Sequence, residues 1–126
     1  MDKFWFLEGT NILSEKKQTS IIISITSDIG TALAKRWIEK DWDIYGTYRT
    51  KSNTINELLD CGVKLFECDI SNIKSINHAC LELTKFSSNW DNLIFSTGTQ
   101  NPVGPFISCN FNEWANSIKV NFINQL

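Results

Sequence analysis

The feature that most constrains this chain is a stretch near its start, Ile21-Ile22-Ile23-Ser24-Ile25. A continuous β-branched run of this kind suits a strand buried on both faces, as in a parallel sheet. A short polar turn follows, Thr26-Ser27-Asp28, and then Gly30. From Thr31 to Ile38 the spacing is helical: Ile29, Leu33 and Trp37 recur at four-residue steps, with Ala34 and Ile38 beside them. A strand, a tight turn and a helix N-terminus in that order present free backbone amides, and such a helix end attracts phosphate. Gly30 lets the helix approach the strand closely. A generic buried strand–helix unit would show the same pattern.

The stretch resembles the nucleotide-binding turn of the short-chain dehydrogenase/reductases. Their pattern, Thr-Gly-x-x-x-Gly-x-Gly, aligns without gaps on Ile23 to Gly30. Ser24 stands at the first glycine, Asp28 at the second, and Gly30 keeps the third. The resemblance implies that Ser24, Thr26, Ser27, Asp28, Ile29 and Gly30 hold the phosphates of a nicotinamide dinucleotide.

The next elements fall at the distances such a unit needs. Ile44-Tyr45-Gly46-Thr47-Tyr48-Arg49 reads as a second strand, ending almost twenty residues past Gly30. A dinucleotide-binding unit places its ribose-reading residue there. An acidic residue would favour NAD. Tyr48, Arg49 and Thr50, with Lys51 and Ser52 behind them, offer a cation and hydroxyls instead, which suit a 2′-phosphate. In the family, strand ends of this type resemble NADP-dependent members, so NADP(H) is expected over NAD. Solvated loop charges are the plainer alternative for Arg49 and Lys51.

Asn53 to Cys61 reads as a helix with Ile55, Leu58 and Leu59 as its apolar face, stopped by Gly62. Val63 to Cys68 is a third strand. Asp69-Ile70 after it resembles the family segment that packs on adenine, the aspartate bonding the ring's amine. Ser71 or Asn72 can cap the helix expected over Ile73–Phe86, with Ile73, Ile76, Cys80 and Leu83 on one side. Leu93 to Gly98 reads as a fourth buried strand. It resembles the family's Asp-x-Leu-Val-Asn-Asn-Ala-Gly, with Phe95 and Ser96 replacing the asparagines and Ser96, Thr97 and Gly98 beside the cofactor. The last helix, Asn112–Phe122, resembles the family's Asp-x-Trp-x-x-x-x-x-Val-Asn-Leu. Asn121 falls on the active-site asparagine, whose backbone binds a water in a proton relay.

Four strands alternating with three or four helices predict an α/β fold. The expected architecture is a Rossmann-like parallel sheet, incomplete, in the order 3-2-1-4 with helices on both faces. Residues 1–19 are read as an N-terminal extension, in which Phe4-Trp5-Phe6-Leu7 is an apolar flap over the sheet. Residues 20–126 are read as a partial dinucleotide-binding domain. The family's chemistry uses a serine and a Tyr-x-x-x-Lys pair. Here Tyr45 is followed four residues on by Arg49 and Tyr48 by Ser52, so the chain alone is expected to be inactive. Leu93–Phe95 is apolar on both faces and would form an uncovered edge.

Composition bounds the partners. The 126 residues suit one domain, and 42% hydrophobic with 21% charged residues is an ordinary globular balance. A net charge of -2 and the lack of a basic stripe speak against nucleic acid. No apolar stretch reaches bilayer length, and the N-terminus lacks a secretory pattern, so a cytoplasmic protein is expected. Cys61, Cys68, Cys80 and Cys109 form no Cys-x-x-Cys pair, which fits free thiols rather than zinc. His78, the single histidine, reads as structural. Two functions compete: the cofactor-binding half of an NADP-dependent reductase of carbonyl compounds or alcohols, and a non-catalytic nucleotide-binding or assembly module with a decayed site. A phospho-receiver is a distant third, since it needs an acidic cluster and Asp28 stands alone. Pairing of copies through the last helix is a family expectation.

Overall fold

The computed structural model describes residues 16–126. Four strands build one sheet: β1 Thr19–Ile23, β2 Asp43–Tyr48, β3 Lys64–Glu67 and β4 Asn92–Phe95. Their order is β3-β2-β1-β4, and each neighbouring pair is parallel. Helices α1 Asp28–Ile38, α2 Asn53–Asp60 and α3 Ile73–Thr84 make the crossovers, and α4 Phe111–Asn121 follows β4. The expected incomplete Rossmann-like sheet is therefore present.

Strand alternation divides the core. Ile22 and Ile44 face one side, where Ala34 of α1, Leu58 of α2, Ile25 and Val63 join them. Ile21 and Tyr45 face the other, against Leu83 of α3. Helices thus cover both faces. The exposed flank is β4, where Leu93 and Phe95 remain 41% and 40% exposed. This agrees with the uncovered edge expected from the sequence and corrects the reading of this stretch as a buried strand. None of its four residues is buried, because β4 pairs only with β1 and, among the described residues, has no strand on its other side.

Several boundaries differ from the sequence reading. β1 stops at Ile23 rather than Ile25, because Ser24 turns the chain with φ 61°. Ile25 is still fully buried. It packs onto Gly46, where a Cβ would come within 2.6 Å of its side chain. α1 begins at Asp28 rather than Thr31, because the Ser27 hydroxyl caps it by accepting from the Gly30 amide at 3.0 Å. β4 stops at Phe95 instead of running to Gly98. Phe95 lies opposite Ile23, so beyond it β4 has no β1 residue left to pair with. The apolar faces are narrower than expected: Leu59, Ile73 and Cys80 are exposed, while Ala79 joins Leu83 in the core. Asn72, not Ser71, caps α3 through the Lys74 amide.

β1 starts at Thr19, one residue inside the stretch read as an extension. Just before it, Lys17 pairs with Asp43 at 3.0 Å and Asp41 at 3.4 Å. The apolar flap Phe4–Leu7 lies outside the described residues.

Candidate functional site

The carboxyl ends of β1, β2, β3 and β4 converge on one cavity of about 380 Å³. Such a position beside the switch point of an α/β sheet is where these folds bind ligands. The cavity has three parts. The β1–α1 turn supplies Ser24, Thr26 and Ser27; the end of β2 supplies Arg49, Thr50 and Ser52; the exits of β3 and β4 supply Cys68, Ile70, Ser96, Thr97 and Gly98.

The turn is fixed from several directions. The Ser24 amide donates to Thr47 Oγ1 at 3.1 Å, and the Ile25 amide donates to the Thr47 carbonyl at 2.9 Å. Ser96 Oγ donates towards the carbonyls of Ile23 and Ser24, at 2.8 and 2.9 Å. Thr31 Oγ1 donates to the Ile25 carbonyl at 2.9 Å. Gly30 closes the packing, since a Cβ there would lie 2.7 Å from the Ser24 carbonyl oxygen. With Gly30 taken by Ser27, the amides of Asp28 and Ile29 have no acceptor among the described residues. They are the donors an anion would meet at this helix end.

Of the fourteen residues that the sequence assigns to the cofactor, nine line the cavity together: Ser24, Thr26, Ser27, Arg49, Thr50, Ile70, Ser96, Thr97 and Gly98, with Ser52 beside them. Five do not. Asp28 and Ile29 sit exposed on the first turn of α1, and Ile29 is 68% exposed. Gly30 is buried beneath that turn, and Tyr48 is half-buried at the end of β2. Asp69 turns towards Ser71, whose hydroxyl and amide both donate to its Oδ1 at 2.7 and 2.9 Å. Those two bonds, helped by the Arg49 charge, hold its carboxyl below the usual range. Cys68 joins the wall beside Ile70. Burial pushes its thiol up, with smaller contributions from Cys80 and Asp69. Cys68 opens the Cys-Asp-Ile-Ser stretch that resembles the family's adenine-packing segment, so the sequence points to it as well.

Asn121 ends α4, outside the cavity wall. Its side chain accepts from the Thr99 amide at 2.7 Å and donates to the Thr99 carbonyl at 2.8 Å, one residue past Gly98. Among the described residues, no His, Cys, Asp and Glu group of three could hold a metal, and no helix is long and apolar enough to cross a membrane. All four cysteines are free.

The chain's residues fit a dinucleotide chemically. Free helix-end amides and hydroxyls suit a pyrophosphate, Arg49 with Thr50 and Ser52 suits a further phosphate, and Ile70 with Cys68 offers an apolar wall for a ring.

A family model described as Enoyl-(Acyl carrier protein) reductase matches residues 24–124. The chain is 30% identical over 107 residues to the 3-oxoacyl-[acyl-carrier-protein] reductase FabG of Buchnera aphidicola, covering 83% of this chain and 43% of that protein. A 3-oxoacyl-[acyl-carrier protein] reductase from Brucella melitensis superposes with a TM-score of 0.74 at 20% identity, over 88% of this chain and 47% of that one. A Burkholderia multivorans protein of the short-chain dehydrogenase/reductase type, solved with bound NADP, gives 0.74 at 18% identity, over 86% and 49%. At such identities the solved structures speak for the fold alone. The chain spans about half the length of these relatives. Sequence match and fold agree: the chain belongs to the short-chain dehydrogenase/reductase family and corresponds to the N-terminal part of its longer members.

Proposed function

We propose that this chain is the cofactor-binding half of an NADP-dependent oxidoreductase acting on carbonyl compounds or alcohols. The observation that supports the reading is the shared cavity, where the β1–α1 turn, through Ser24, Thr26 and Ser27, and the Arg49–Ser52 segment open onto one space, with the helix-end amides of Asp28 and Ile29 next in the chain. The pyrophosphate rests on the free amides of Asp28 and Ile29. Arg49, with the hydroxyls of Thr50 and Ser52, pairs with the 2′-phosphate, a charge-assisted contact that NAD lacks. Ile70 and Cys68 flank the adenine, and Asp69 meets its amine with the oxygen that Ser71 leaves free. Ser96, Thr97 and Gly98 border the ribose on the nicotinamide side. When bound, the cofactor supplies or accepts a hydride. Asn121 presents its backbone to a relay water in a completed site, and the exposed Phe111 and Ile118 of α4 suit pairing of two copies.

Relatives lend the reading support: one is named a 3-oxoacyl-[acyl-carrier-protein] reductase, and one fold neighbour was solved with bound NADP. NADPH titration of the chain, followed by fluorescence, tests the reading. Saturable binding is expected, weakened about tenfold or more by Arg49→Asp, since a lost charge-assisted pair plus a new repulsion exceeds 1.4 kcal/mol. NADH binding is unmoved or improved by the same change. Equal affinity of wild type and variant for NADPH would remove the NADP assignment.

A further inference from the structure

The family's first turn glycine is a serine here, and that serine occupies the left-handed conformation that glycine ordinarily takes, with φ 61°. A side chain in that region is strained, so something must hold it. The surroundings of Ser24 show what does. Its amide is held by Thr47 Oγ1 at 3.1 Å, and its carbonyl receives Ser96 Oγ at 2.9 Å and the Ser27 amide at 3.0 Å. Thr47 also takes the next amide, that of Ile25, on its carbonyl. Thr47 is 3% exposed and does not line the nucleotide cavity, while Ser96 reaches the turn from seventy-two residues away.

The geometry points to Thr47 as a positioning residue that, with Ser96, clamps Ser24 in the conformation needed to aim the turn's free amides at the cofactor. Hydroxyls from β2 and from the residue just past β4, on either side of β1, thus replace what a glycine backbone does unaided. The proposal rests on the dinucleotide reading above, because the clamp matters for function only if that turn meets a phosphate. It predicts a specific dependency. A glycine at position 24 relaxes into the turn without help, so the clamp becomes dispensable once Ser24 is replaced.

The test is a double-mutant cycle on the full chain. NADPH affinity is measured for wild type, Thr47→Val, Thr47→Ser, Ser24→Gly and the Ser24→Gly/Thr47→Val pair. Thr47→Val keeps shape and removes the acceptor. It is expected to weaken NADPH about fivefold, the worth of one neutral hydrogen bond. Thr47→Ser restores the acceptor and wild-type affinity. In the Ser24→Gly background the valine effect shrinks to less than about twofold. Where wild type binds NADPH, equal losses in both backgrounds, or none in either, would overturn the clamp's role in cofactor binding. Hydrogen exchange of the Ser24 amide, recorded without cofactor, separates this idea from the cofactor assignment. Faster exchange in Thr47→Val but not in Thr47→Ser upholds the clamp even if NADPH never binds, and unchanged exchange refutes it whatever the titrations show.

Discussion

Asn121 and Thr99 face each other as a closed amide pair: the asparagine side chain accepts from the threonine amide at 2.7 Å and donates to its carbonyl at 2.8 Å. The end of α4 is thereby tied to the segment that leaves β4, directly behind Gly98. A Cβ at Gly98 would already lie 3.4 Å from Asn121 Oδ1, so the approach is close. Asn121→Ala should cost about 1 kcal/mol, below the sum of two bonds because the pair is partly solvated. Asn121→Asp should cost at least as much at neutral pH, since a carboxylate can accept from the amide but repels the carbonyl. Urea unfolding at pH 7 and near pH 4 checks both: the aspartate variant should regain stability on acidification, when its carboxyl can donate.

Gly30 is a helix residue in contact with a turn. In an open helix, Gly→Ala gains up to about 1 kcal/mol. Here the new methyl would sit 2.7 Å from the Ser24 oxygen and 2.8 Å from Ile25, both backbone. Overpacking of that kind costs about 1–3 kcal/mol. Gly30→Ala should therefore lower the urea midpoint, and should weaken NADPH binding as α1 is pushed off β1.

Asp28 places a carboxylate in the first turn of α1, beside the amides assigned to the pyrophosphate. That charge stabilises the helix end by about 0.3–1 kcal/mol and opposes an incoming anion by a similar amount. Asp28→Asn should tighten NADPH about two- to fivefold at low salt while lowering thermal stability slightly. The affinity gain should fade at high salt, where screening removes the repulsion. A salt-independent effect would point away from charge.

Cys68 lines the cavity at the sheet's carboxyl edge with its thiol pushed up by burial, whereas Cys61 and Cys80 are exposed. Alkylation at pH 8 should modify Cys61 and Cys80 first and Cys68 slowly, because the thiolate reacts. NADPH should slow Cys68 further and leave the other two unchanged. Mass spectrometry of timed samples reads this directly. The sign for stability follows: a thiol raised on folding contributes fully below its unfolded pKa, and that contribution fades as pH climbs past it.

With NADPH and a 3-oxoacyl thioester, the chain should bind cofactor without consuming it. Neither tyrosine has a lysine four residues on: Arg49 follows Tyr45 and Ser52 follows Tyr48. Tyr45 is also buried in the sheet. Steady NADPH absorbance over hours is the expected record, and measurable turnover would mean that another acid–base group of the chain serves the reaction.

The sequence by itself determined the architecture. The unbroken β-branched run Ile21–Ile23 needs two covered faces, and the helical stretches after it supply the covers; the apolar run at Leu93 marks the edge strand, which stays exposed. Parallel pairing follows from that alternation, and the order β3-β2-β1-β4 from the dinucleotide-binding pattern that the sequence resembles. Residues near a strand's carboxyl end, such as Ser27, Arg49 and Gly98, could be named for the same reason. Where each strand stops was decided only in three dimensions. Ile25 looks like strand by composition, yet it sits in a turn because Ser24 reverses the backbone and Gly46 leaves room beneath it. Tertiary structure likewise turned Asp69 onto Ser71 and joined Thr47 and Ser96 around Ser24. Local periodicity reports which face of an element is buried. It carries no information on which hydroxyl of a neighbouring strand meets a given amide, because that depends on register between segments dozens of residues apart.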